Sequence, residues 1–162
     1  MSSLENEIHQ REFRNEYHKA LVNILHTSSY VINKMNDLFK NFDVTRQQYN
    51  VLRILRGQHP GHASVLDIRE RMLDKMSDAS RIVERLRVKG LVTRAFGVKD
   101  KRSVEVTITQ AGLELLNQMD EHVNGMEDLL GHIDAAEISQ LNMVLDKIRP
   151  EKYFSTKEKL VV

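Results

Sequence analysis

The sequence predicts a mainly α-helical chain that carries one small β-hairpin. Three observations lead there. Apolar residues recur at three-and-four spacing along most of the 162 residues, Pro and Gly number only 2 and 7, and the apolar period switches to alternation at a single place, residues 91–108.

From Tyr17 onward, Leu21, Ile24, Leu25, Val31, Ile32, Met35, Leu38, Phe39 and Phe42 fall on one face of a long amphipathic helix, either continuous or interrupted around Thr27, Ser28 and Ser29. Thr45 and, three residues on, Gln48 form a capping box that opens a second helix through Tyr49, Val51, Leu52, Ile54 and Leu55. It must stop before Gln58-His59-Pro60-Gly61, because Pro disfavours helical geometry in the residue before it and Gly turns the chain readily. Ser64 and Asp67 loosely repeat the box and open a short helix with Val65, Ile68 and Met72 turned inward. After Leu73-Asp74-Lys75 a further helix spans about residues 77–89. Ser77 is its expected cap, Ala79, Ile82, Val83 and Leu86 its buried face, and Gly90 its stop. Two short helices joined by a tight turn make a helix-turn-helix.

Residues 91–96 and 103–108 alternate or run β-branched, and the polar, Gly-containing residues 97–102 join them, so the hairpin has a charged tip and forms a wing. Thr109 caps a closing helix with Leu113, Leu116, Met119, Val123, Met126, Leu129 and Leu130 on one face, and Asp134 caps a last one over Ala135–Ile148. The expectation is a winged helix-turn-helix built as a single domain, residues 1–162. A lobe over about residues 45–109 lies between helices at about 5–42 and 110–150. One small lobe cannot cover the apolar faces of those outer helices, so they are expected to pair with a second copy as dimerisation helices.

With 24 Lys+Arg against 23 Asp+Glu, the net charge of +1 implies nothing about nucleic acid; the distribution does. Residues 64–110 hold 11 basic and 7 acidic side chains (+4), and residues 111–162 hold 5 and 10 (−5). Within residues 81–102, Arg81, Arg85, Arg87, Lys89, Arg94, Lys99, Lys101 and Arg102 face only Glu84 and Asp100, a local balance of +6. Such a concentration favours phosphate through counterion release, and it coincides with two elements shaped to enter the grooves of double-stranded DNA. The first turn of the second motif helix would meet base edges, which makes Ser77, Asp78, Ser80 and Arg81 the candidate readers. Arg81 suits a bidentate contact to guanine and Ser80 a bond to base or phosphate. Asp78 suits either the helix dipole or a cytosine amino group. Arg85, Arg87, Lys99 and Lys101 would grip phosphates, and Arg102 would enter a minor groove with Asp100 orienting an arginine.

Without cysteine there is no disulfide, thiolate zinc site or thiol switch. No apolar run approaches the roughly 18 residues of a membrane span, so a soluble, cytoplasmic protein is expected. The seven histidines show no tight metal spacing, and neither a nucleophile elbow nor a phosphate-binding glycine loop is present. The expectation is no enzyme, no cofactor and no metal.

Ser-Asp-Ala-Ser-Arg-Ile-Val-Glu-Arg-Leu at 77–86, Lys-Gly-Leu-Val at 89–92, Asp-Lys-Arg at 100–102 and Val-Thr-Ile-Thr-Gln-Ala-Gly at 106–112, in this order, resemble the MarR family of multiple antibiotic resistance regulators. The resemblance extends from about residue 10 to residue 148. It implies a homodimer with intertwined terminal helices on a palindromic DNA site, with Arg102 as the wing's minor-groove finger and Asp100 holding the arginine geometry. It also implies release by a small aromatic or phenolic effector in a pocket between the dimer helices and the lobe, lined by Tyr17, Leu21, Tyr49 and Arg53. Plain core packing competes for Leu21 and Tyr49. The turn Asp74-Lys75-Met76 departs from the commonest family turn, and Asp78 stands where a small neutral residue is common. Together with the low net charge, Asp78 supports the alternative of a winged-helix module that binds protein rather than specific DNA.

Overall fold

The computed structural model of the protein describes residues 3–96 and 104–149. Its elements in chain order are α1 (Leu4–Glu7), α2 (Glu16–Lys40), α3 (Arg46–Arg56), β1 (Ala63–Ser64), α4 (Val65–Arg71), α5 (Ala79–Val88), β2 (Val92–Phe96), β3 (Val104–Ile108), α6 (Gln110–Asn124), a 3-10 helix (Gly125–Leu130) and α7 (Ala135–Ile148). These fall into two compact units, Met1–Val123 and Asn124–Val162.

The helix starts are set by side chains, because the first N–H groups of a helix have no partner within it. Asn15 opens α2 by accepting the His18 N–H at 2.9 Å. Both halves of the Thr45 box form: Thr45 Oγ1 accepts the Gln48 N–H at 3.2 Å, and Gln48 Oε1 accepts the Thr45 N–H at 3.0 Å. Ser64 and Asp67 likewise cap α4 reciprocally, at 3.1 and 3.0 Å. Thr109 has two tasks. Its hydroxyl accepts the Gly112 N–H at 3.1 Å and donates to the Gly90 carbonyl at 2.8 Å, which joins the start of α6 to the end of α5. Gly90 itself has φ +73°, the left-handed conformation that a helix stop favours.

One open alternative is decided and two expectations are corrected. α2 runs unbroken through Thr27, Ser28 and Ser29, since Ser and Thr cost only tenths of a kcal/mol each relative to the best helix formers, about 0.5 kcal/mol. The hairpin is part of a three-stranded antiparallel sheet ordered β1-β3-β2, with Ala63 opposite Val106 and Val92 opposite Ile108. Two residues of β1 are too few to display alternation. The apolar run expected to extend one closing helix to Leu130 instead breaks at Asn124 into the 3-10 helix.

The core of the first unit gathers Val51, Leu52 and Leu55 of α3, Ile68 of α4, Val83 and Leu86 of α5, Val106 of β3, and Leu116 and Met119 of α6, all fully enclosed. Polar ties then fix neighbouring helices: Arg56 grips Asp120 of α6 with both terminal nitrogens, at 2.8 to 3.1 Å. Along β2 only Val92 is buried, and Phe96, at the other end of the strand, is 74% exposed. Among the described residues no helix is long and apolar enough to cross a membrane.

Candidate nucleic-acid interface

The second motif helix, α5, is aimed by the turn before it. Leu73 donates its N–H to Asn50 Oδ1 at 2.9 Å, which anchors that turn to α3. Asp74 then folds the chain back, accepting the Met76 N–H at 3.1 Å and the Ser77 hydroxyl at 2.7 Å. The Ser77 hydroxyl first, and the Met76 N–H second, hold the Asp74 carboxyl below the usual carboxylate range. Ser77 is therefore not the helix cap, contrary to expectation. Its hydroxyl is captured three residues upstream, and Asp78, equally suited as a cap, accepts the Arg81 N–H at 3.0 Å. Of the two roles open to Asp78, the structure supports the one at the helix terminus.

Ser80 and Arg81 lie exposed in the first turn of α5, and Arg85 lies exposed one turn later on the same side. With Thr45 and Gln47 at the start of α3, and with Ser77, Asp78 and Ile82, these two arginines line an open groove of about 250 Å³. Gln47 escaped the sequence-based selection. Nothing local distinguishes it, because only the packing of α3 on α5 brings it there. A second groove, of about 490 Å³, runs along the turn and adds Arg69 and Lys75 beside Ser77 and Ser80.

The positive run divides once its partners are visible. Arg87, expected among the phosphate-gripping residues, lies roughly 200° around the helix from Arg85 by the α-helical period. There it donates Nε to Glu84 Oε1 and Oε2 at 3.2 and 3.1 Å, and Nη2 to Oε1 at 2.8 Å. Arg94 of β2 donates Nη1 to the same carboxylate at 3.0 Å. Hydrogen bonds from Arg87 and then Arg94 hold Glu84 down at about 2, so it stays ionised at neutral pH. Lys89 pairs with Asp43, Nζ to Oδ2 at 2.9 Å. Arg81 and Arg85 are left without an acidic partner among the described residues. Lys99, Asp100, Lys101 and Arg102 at the hairpin tip lie outside the described residues.

The four residues mapped to an effector pocket separate into two pairs. Tyr49 is a core residue, its ring 4.8 Å from that of Phe39, and burial pushes its hydroxyl pKa up. The exposed Arg53 guanidinium lies over the Tyr49 ring at 5.9 Å. Tyr17 and Leu21 stand one turn apart on the open face of α2, so Leu21 is not core within one copy.

Comparison with known proteins agrees with this architecture. Residues 42–103 match the profile of the MarR family. Over 115 residues, 70% of this chain and 68% of the relative, the chain is 29% identical to the HTH-type transcriptional repressor IacR of Pseudomonas putida. It is 32% identical to the MarR transcription factor of Planctomyces limnophilus, whose crystal structure aligns with a TM-score of 0.64 over 83% of this chain and 98% of that one. The S. aureus MepR–DNA complex shares the fold, with a TM-score of 0.70 at 23% identity over 85% of this chain and 97% of that one.

Proposed function

The chain belongs to the MarR family of transcription regulators, and from that premise we propose that it is a homodimer that binds a palindromic DNA site sequence-specifically. The single observation that carries this is the exposed pair Arg81 and Arg85, unopposed among the described residues, on the open face of a helix whose first turn is rigidly capped. A guanidinium at Arg81 offers the planar fork that pairs with guanine O6 and N7, and Ser80 beside it bonds to base or phosphate. Arg85 adds a phosphate contact, with Lys99 and Lys101 at the wing. Arg102 enters the minor groove, where narrow A·T tracts concentrate negative potential. Half-sites lie about one helical turn apart, roughly 10 base pairs.

Dimerisation is supported by two apolar rows left open in one copy: Tyr17, Leu21 and Leu25 on α2, and Leu141, Val144 and Ile148 on α7. Burying such rows against a second copy is the ordinary way to remove them from water. A small aromatic or phenolic effector binding beside Tyr17, Leu21, Tyr49 and Arg53 would then modulate DNA release. Tyr49, already in the core, acts through the Arg53 stacked on it.

The test begins with selection of a palindrome from random duplexes, followed by mobility-shift titration. Arg81→Ala is expected to weaken the selected site by about 5- to 150-fold, the value of one bidentate base contact of about 1–3 kcal/mol. Lys99→Ala should lower affinity evenly across sequences and reduce the salt slope by about one. Failure to enrich any palindrome, or full affinity in both variants, would sink the assignment. The protein-binding module loses its residue-level support, because Asp78 is committed to capping α5.

A further inference from the structure

We propose that Glu84 is a specificity-determining residue, which holds Arg87 and Arg94 away from DNA phosphates and so suppresses sequence-independent binding. This rests on the DNA-binding function proposed above.

One carboxylate accepts four short contacts from two guanidiniums, three from Arg87 and one from Arg94. The pair comes from two different elements, the last turns of α5 and the strand β2 that leads into the hairpin. Neither arginine is buried: their side chains are 49% and 32% exposed, and with Ala95, Phe96 and Val104 they line an open groove of about 310 Å³. They are therefore within reach of solution anions. A phosphate approaching them must compete with Glu84 for the same N–H groups and meet its negative charge.

The consequence follows from what DNA affinity is made of. Each arginine that neutralises a phosphate releases counterions and adds affinity to every sequence alike, so a phosphate contact raises competitor binding as much as operator binding. Arg81 and Ser80 carry base information; Arg87 and Arg94 carry none. By occupying two of the five described positive side chains within residues 81–102, Glu84 lowers the non-specific background and leaves discrimination to the first turn of α5. Its ionised state at neutral pH keeps the clasp closed under ordinary conditions.

The experiment compares wild type, Glu84→Gln, Arg87→Ala and the double variant Glu84→Gln/Arg87→Ala. Each is titrated against random-sequence duplex DNA and against the palindrome selected by the wild type, over a range of salt concentrations. Circular dichroism melts confirm that each variant is folded. Glu84→Gln keeps the size and removes the charge. It is expected to bind random duplex on the order of tenfold more tightly at about 0.1 M salt, with a salt slope steeper by about one to two. The selected-to-random affinity ratio should fall. Arg87→Ala alone should leave the random-duplex slope unchanged, whereas in the Glu84→Gln background it should flatten the slope by about one. An unchanged slope in folded Glu84→Gln, or a flatter slope in Arg87→Ala alone, overturns the inference while the DNA-binding function stands. A wild type with no salt-dependent affinity for any duplex overturns both. If Glu84→Gln does not fold, Arg87→Ala decides by the same criterion.

Discussion

Leu86→Ala is expected to lower the unfolding free energy by about 2–5 kcal/mol, the usual cost of truncating a fully enclosed leucine. Leu86 is 0% exposed and lies on the inner face of α5 beside Val83, also fully enclosed. Removing three carbons there leaves a cavity walled by elements whose geometry is fixed elsewhere: the Leu91 N–H returns to the Leu86 carbonyl at 3.0 Å, and Thr109 ties the end of α5 to the start of α6. The site therefore cannot collapse to fill the space. Since a domain of this kind has only about 5–15 kcal/mol in total, the loss removes a large share of its stability. Urea titration should show a lower midpoint at an unchanged slope, because the surface exposed on unfolding hardly changes. Leu86→Met, which conserves volume, should cost less than about 1.5 kcal/mol. The two variants costing the same would mean that the enclosure of this residue is not what holds α5 in place.

Gly112→Ala tests the joint between the sheet and α6, and here the expected sign is opposite to what helix propensity suggests. Alanine is better than glycine in a helix interior by about 1 kcal/mol, so an unobstructed position would gain stability. At Gly112 an added methyl carbon would stand 2.4 Å from the Leu91 carbonyl oxygen and 2.7 Å from Ile108 Cγ1. The carbonyl cannot yield, because it accepts the Thr109 N–H at 3.1 Å at the start of the same helix. The net result should be a loss of about 1–3 kcal/mol, as for other overpacked sites, read as a lower melting temperature. An alanine variant as stable as wild type would show that α6 can move off the sheet without penalty.

Much of this fold was readable from side chains that act within three or four residues. The boxes at Thr45 with Gln48 and Ser64 with Asp67, the cap at Asp134 and the stop at Gly90 are local devices, and each occurs where its residues stand. The error at Ser77 has the same local origin. Ser and Asp are equivalent caps by type, and the choice was made by Asp74, whose carboxylate claims the Ser77 hydroxyl. β1 was illegible because two residues display no period; its partner Val106 lies 43 residues further on. Among the candidate residues, Ser80, Arg81 and Arg85 lie exposed on α5, and Gln47 was passed over because its place beside the two arginines depends on the packing of α3.

By itself the sequence determined the helical periods, most of the caps, the two strands of the hairpin and the concentration of positive charge after residue 80, because each is a property of neighbours along the chain. Only the tertiary structure decided which of the described charges in that run are paired. Glu84 reaches Arg94 across ten residues and Asp43 reaches Lys89 across 46, and these pairings leave Arg81 and Arg85 as the unpaired arginines among the described residues of that run. A count of charges adds them along a line, whereas a folded chain opposes them in space, and electrostatic interaction falls off with that spatial distance rather than with separation along the sequence.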